Sequence, residues 1–163
     1  SGCIQREGRR RSMNYDDFLA AEKGKAYTKC IGIDTGVNTG IAIWNKVKKK
    51  FDLVSKVMIH QALEIVADQA RRDHVCVFVE DARQRRWYND AGKSRDKLQG
   101  AGSIKRDCKI WEDFLRDKGI PFKLIAPKNN TTKLSAPAFK SITGYTGRTC
   151  EHSRDAAMMV YGR

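Results

Sequence analysis

Apolar runs punctuated by glycine and charge divide the chain into short strands and amphipathic helices. Cys30–Ile33 is apolar and ends on Asp34, Gly36 and Gly40 follow, and a second apolar run occupies Ile41–Trp44. Glycine tolerates positive φ and close backbone approach, so this predicts a strand, a tight turn bracketed by the two glycines, and a second strand. Lys46–Lys50 is a charged turn, and Phe51–Ile59 returns as a third strand, completing an antiparallel meander. Leu63, Val66, Ala67 and Ala70 recur at helical spacing within Gln61–Arg72. Val75–Val79 is unbroken and β-branched, the pattern of a strand buried on both faces in a parallel pairing, and it runs into Glu80 and Asp81.

The second half alternates helix and strand. Ser94–Lys118 is long and helical in character, and its Gly100, Ala101, Gly102 and Ser103 permit close packing against another helix. Pro121–Ile125 predicts a fifth strand, Leu134–Thr143 a helix around Pro137, and Glu151–Tyr161 a closing helix with Ala156, Ala157, Met159 and Val160 on or near its packed face. The order β-β-β-α-β-α-β-α-α predicts an α/β fold, a mixed five-stranded sheet (three antiparallel meander strands plus two parallel) flanked by helices. A chain of 163 residues suits one domain with a real core. We place it at residues 29–163, after a basic arm over 1–28 that carries Arg6, Arg9, Arg10 and Arg11 and a short helix at Tyr15–Glu22.

Charge narrows the partner. Lys and Arg number 32 against 19 Asp and Glu, a net charge of +13. Such a balance favours a polyanion, because each neutralised phosphate releases counterions. A membrane surface is the weaker partner: no run of about 18 apolar residues exists, nor a basic amphipathic helix with an aromatic-rich apolar face. Residues 83–109 hold nine Lys and Arg against three acids, with Trp87 and Tyr88 embedded. Arg83, Arg85, Arg86, Lys93, Lys105, Arg106 and Lys109 are candidate phosphate contacts, the alternative being a solvated helix face. Trp87, with Tyr88 beside it, either stacks on an unpaired base or serves as a core or dimer-contact aromatic. Lys128 and Lys133, beyond the fifth strand, are further candidate phosphate contacts. The five cysteines form no CxxC pair and no secretory apolar segment is present, which reads as a reducing cytoplasm.

Four residues could gather at one end of the sheet. Asp34 leaves the first strand and Glu80 the fourth, both at carboxyl ends; on adjacent parallel strands they project into one crevice. His152 and Asp155, three apart, share one face of the closing helix. Three carboxylates and an imidazole with no obvious Lys or Arg between them repel unless cations sit there, and hard divalent ions held by carboxylates suit phosphodiester hydrolysis. Asp34 alone has a plain alternative, an Asx-turn closing the hairpin.

The segments IGIDTGVNTGIAIW, VFVED, LQGAGSIKRD and HSRDAAMMVYG, in this order, resemble RuvC-type Holliday junction resolvases of the RNase H-like superfamily, most closely the resolvase-like proteins of phages. The likeness spans roughly residues 29–162. It implies an RNase H-like fold and a metal site at Asp34, Glu80, His152 and Asp155. It further implies Mg²⁺ or Mn²⁺ as cofactor, two ions per site, and a homodimer making paired cuts in a four-way junction that leave 5′-phosphate ends, in a bacterial or phage-infected cytoplasm. Where the family has Gln and then a wedging aromatic residue after its catalytic Glu, this chain has Asp81-Ala82-Arg83 and carries its aromatics later, at Trp87 and Tyr88. Asp81 is a possible extra ligand, although strand alternation directs it to the face opposite Glu80. The alternatives are an RNase H or transposase-like nuclease on the same fold, and a non-catalytic binder of branched DNA. A sugar-kinase or actin-like ATPase shares the strand-Asp-x-Gly-x-x-x-Gly signature, but needs two such domains and a second phosphate loop; no nucleotide cofactor is expected.

Overall fold

A computed structural model describes residues 27–84, 95–127 and 133–163, the side chains of 95–101 excepted. Residues 1–26, which hold the expected short helix and all of the expected basic arm but Tyr27 and Thr28, and the candidate contacts Arg85, Arg86, Trp87, Tyr88, Lys93 and Lys128, lie outside the described residues. The chain runs β1 (Lys29–Asp34), β2 (Asn38–Asn45), β3 (Lys50–Met58), α1 (Ile59–Arg72), β4 (Val75–Glu80), α2 (Arg95–Lys118), β5 (Phe122–Ile125), α3 (Ala136–Thr143) and α4 (Glu151–Val160). The strands form one mixed sheet in the order β3-β2-β1-β4-β5. β1–β2 and β2–β3 pair antiparallel, β1–β4 and β4–β5 parallel. This is the sheet that the hydrophobic pattern predicts.

Strand alternation sorts the core into two layers. Ile31, Ile33, Ile41, Ile43, Val77 and Val79 pack with Ala62 and Val66 of α1 and with Trp111 and Leu115 of α2. Cys30, Ala42, Trp44, Cys76 and Phe78 face the other way, onto Phe139 of α3 and Ala156, Ala157 and Val160 of α4. β4 is therefore covered on both faces, as its unbroken apolar run requires. α3 begins one residue after its Ser135 N-cap, whose hydroxyl accepts from the Ala138 amide, and it ends on Gly144 in the left-handed conformation.

The seam between α4 and the sheet departs from expectation. Gly40 lies inside β2, opposite Asp34, and does not bracket the turn. A Cβ on Gly40 would stand 2.1 Å from the His152 carbonyl oxygen, and one on Gly32 would stand 2.1 Å from that of Ala156. Both glycines are needed because the helix backbone rests directly on the strands. The turn itself is shorter, spanning residues 35–37, and is closed by the Thr39 hydroxyl donating to the Gly36 carbonyl at 2.7 Å.

Candidate active site

Parallel pairing of Ile33 with Val79 brings the ends of β1 and β4 side by side, with Asp34 and Glu80 as the next residue on each strand. Alternation turns both toward the face covered by α4, since Cys30 and Gly32 precede Asp34 on that face and Cys76 and Phe78 precede Glu80. The close seat of α4 on Gly40 carries its first turn over Asp34. His152 Nδ1 lies 2.9 Å from Asp34 Oδ2, joining residues 118 apart in the chain. Asp155 stands one turn further along α4, near enough for its charge to act on Asp34. Three of the four predicted residues thus form one electrostatic unit, with Glu80 on the neighbouring strand end.

The Asp34 side chain is only 14% exposed. Burial pushes its carboxyl above the ordinary value, against the hydrogen bond and charge of His152; the Asp155 carboxylate adds to the push and Lys133 counters it. A half-dry carboxylate held high by its surroundings, at the mouth of a sheet, is what functional sites collect.

A cation stands where the sequence suggested none. Lys133 pairs with Asp155 through a direct hydrogen bond and lies 3.5 Å from Glu151. Burial opposes its charge, but the Asp155 hydrogen bond and the charges of Asp155, Asp34 and Glu151 raise the ammonium above its ordinary value. Arg154 holds the segment in place: its Nε donates to the Leu134 carbonyl at 2.8 Å and its Nη1 to Thr149 Oγ1 at 3.0 Å. Lys133, read from sequence as a phosphate contact, is here a neighbour of the acidic cluster.

Three carboxylates and an imidazole are donor types that suit Mg²⁺ or Mn²⁺. Their spacing is looser than a coordination shell: among the described residues, no group of three or more His, Cys, Asp or Glu is close enough to hold an ion. The chemistry of the residues fits the metal; in this geometry the Lys133 ammonium provides the positive charge at Asp155.

Around the exit of β4 lie contacts that no motif announced. The Thr35 hydroxyl donates to the Glu80 main-chain carbonyl at 3.3 Å and lies 3.4 Å from Cys108 Sγ, which is itself 3.7 Å from that carbonyl. Cys108 is wholly buried on α2. Its only sequence signal was an apolar position four residues before Glu112 and three before Trp111, on one face of an otherwise basic helix. Asp81 points to the α2 side, as alternation predicted, and its carboxylate is spent on protein partners. Arg83 Nε reaches Asp81 Oδ1 at 2.7 Å and Arg83 Nη2 reaches Glu112 Oε2 at 2.7 Å, so this guanidinium is engaged internally. Of the basic belt on α2, Lys105 and Arg106 are exposed and Lys109 pairs with Asp113 at 2.7 Å.

A cavity of about 390 Å³ among the described residues lies at the opposite end of the strands, between Tyr27, His74, Lys118 and Pro121, and none of Asp34, Glu80, His152 and Asp155 lines it. No helix among the described residues is long and apolar enough to cross a membrane.

By sequence, the chain matches no family model and no curated protein. By structure it is similar to RuvC of T. thermophilus, solved in complex with a Holliday junction substrate, at a TM-score of 0.52 and 14% identity. The match covers 82% of this chain and 90% of that one. With the strand order above, it establishes an RNase H-like fold of the RuvC type.

Proposed function

We propose that the protein is a metal-dependent, structure-selective endodeoxyribonuclease that hydrolyses phosphodiesters in Holliday junctions or other branched DNA and leaves 5′-phosphate ends. The observation that carries this reading is the convergence of Asp34, His152 and Asp155 beside the Glu80 strand end, on a fold shared with a junction-bound protein. Asp34, Glu80, Asp155 and His152 would hold Mg²⁺ or Mn²⁺, which supplies activation of water and stabilisation of the leaving 3′ oxygen.

The chain's own groups have separable tasks. With Asp34 ionised, His152 Nδ1 donates to it, which leaves the Nε2 lone pair either to hold the metal or to take a proton from an attacking water. Lys105 and Arg106 on the exposed side of α2 offer phosphate contacts, to which the net charge of +13 adds long-range attraction. Gly102, Ser103, Ile104 and Ile110 are exposed on the same helix and suit a homodimer presenting two sites to a four-way junction. The expected setting is the cytoplasm of a bacterial or phage-infected cell.

The test is incubation with Mg²⁺ and labelled four-way junctions, forks, linear duplexes and RNA–DNA hybrids, with the nicks mapped. Paired nicks in branched DNA are expected. Asp34→Asn should lower them on the order of 10³-fold while junction binding persists, because one ligand charge is lost and the basic surface is not. Undiminished cutting by that variant refutes the site; cutting of the hybrid in preference to branched DNA reassigns the substrate.

A further inference from the structure

We propose that Thr35 and Cys108 are positioning residues, whose side chains grip the main-chain carbonyl of Glu80 and thereby set where its carboxylate stands relative to Asp34. The inference rests on the nuclease reading above and adds to it two residues that touch no substrate.

The geometry is a small closed cycle. Thr35 Oγ1 donates to the Glu80 carbonyl at 3.3 Å, Cys108 Sγ lies 3.4 Å from Thr35 Oγ1, and Sγ lies 3.7 Å from the same carbonyl. Two hydrogens serve three heavy atoms: the hydroxyl donates to the carbonyl, and the thiol to the hydroxyl or the carbonyl. Thr35 directly follows Asp34 and Cys108 comes from α2, so the cycle joins the end of β1, the end of β4 and the helix behind them. The ladder between these two strands stops just there, at Ile33 and Val79, while Asp34 and Glu80 stay paired only with their outer neighbours Gly40 and Ile125. Beyond that pair, the Thr35 hydroxyl is a direct tie between the two strand ends.

The next residue is fixed too. The Asp81 amide donates to the Ile125 carbonyl at 2.8 Å, and Arg83 binds the Asp81 carboxylate and reaches Glu112, one turn after Cys108. The Glu80 backbone is thus clamped on one side by the Thr35–Cys108 pair and on the other by Asp81. A backbone held at both sides leaves the Glu80 carboxylate only its side-chain torsions, and carboxylates sharing an ion must be held to within about 0.5 Å. A thiol suits the site because it is small, tolerates complete burial and still makes a weak hydrogen bond.

The experiment compares Thr35→Val and Cys108→Ala with Thr35→Ser and Cys108→Ser in the full chain. Three readouts are taken: Mn²⁺ binding by calorimetry without DNA, four-way junction binding without divalent metal, and nicking. Thr35→Val and Cys108→Ala should weaken Mn²⁺ binding and lower nicking by about 10-fold, leave junction binding unchanged, and be rescued by the serine variants. Unchanged Mn²⁺ affinity in folded Thr35→Val overturns the proposal, as does equal loss in the serine variants. Should Cys108→Ala fail to fold, Thr35→Val decides, because it preserves side-chain volume. Failure of the function reading looks different: the unmodified protein then binds no Mn²⁺, or Asp34→Asn nicks normally, and both ideas fall together.

Discussion

Asp34 and Asp81 stand at the ends of adjacent strands and differ in almost everything that surrounds them. Asp81 is buried against α2, and burial alone would raise its carboxyl. Hydrogen bonds from Arg83, Gln84 and the Arg83 amide outweigh that and hold it below the ordinary carboxylate range. Glu112 is held down likewise, burial being outweighed by Arg83 and Arg116. Asp34 faces α4, with one imidazole as its hydrogen-bond partner and a second carboxylate nearby, and it is pushed up. One corner of the sheet edge has its charges matched and contributes to the fold. The other carries charge the fold does not fully compensate, which is where chemistry is to be sought.

The largest effect expected in stability comes from unpairing the matched corner. Arg83→Met leaves the 5%-exposed Asp81 carboxylate without its main partner and should cost about 2–4 kcal/mol in urea unfolding at pH 7. Because Asp81 and Glu112 have folded pKa values below their unfolded ones, the stability they contribute is present above the ordinary carboxylate range and is lost as pH falls through the folded values. The gap between Arg83→Met and the parent should therefore close on acidification; a gap constant with pH would mean the arginine acts by packing alone.

A smaller effect of opposite sign is expected at Asp34. Its folded pKa lies above the unfolded one, so its contribution is complete below the unfolded value and is lost as pH rises through the folded value. Asp34→Asn, the change expected to lower nicking, should raise Tm at pH 7 by about 2 °C. A lower Tm would show that the His152 contact makes the ionised carboxylate a net support, and the contrast with Asp81 would disappear. Smallest of all is Lys133→Met. Removing the ammonium from Asp155 should tighten Mn²⁺ binding by roughly 3-fold in low salt, and by less in high salt, since Lys133 is 59% exposed. Weaker Mn²⁺ binding would instead make Lys133 a support of the site.

The mixed five-stranded sheet was legible because period-two patterning and an unbroken β4 leave few alternatives; the order of its strands and the two core layers come from the structure. The pairing of Asp34 with His152 was legible only as convergence of elements, from Asp34 at a strand end and the His152–Asp155 spacing on a helix. Alternation also placed Asp81 on the far face correctly. What escaped were partners set by tertiary approach: Lys133 reaches Asp155 across 22 residues and Arg83 reaches Glu112 across 29. Neither separation has a local pattern, so the sequence offered Arg83 and Lys133 as phosphate contacts without showing that each pairs with acids of the fold. Gly40 was misread for a related reason. A glycine can serve a turn or a close approach, and only the position of α4 decides between them.

The helix carrying His152 and Asp155 meets the sheet with bare main chain, on Gly32 and Gly40. At those two points no side chain can rotate aside, so an atom added there must displace the helix backbone, and both side chains travel with it. Such a centre would be lost as a block by crowding from beneath, while its outward surface stays open to change.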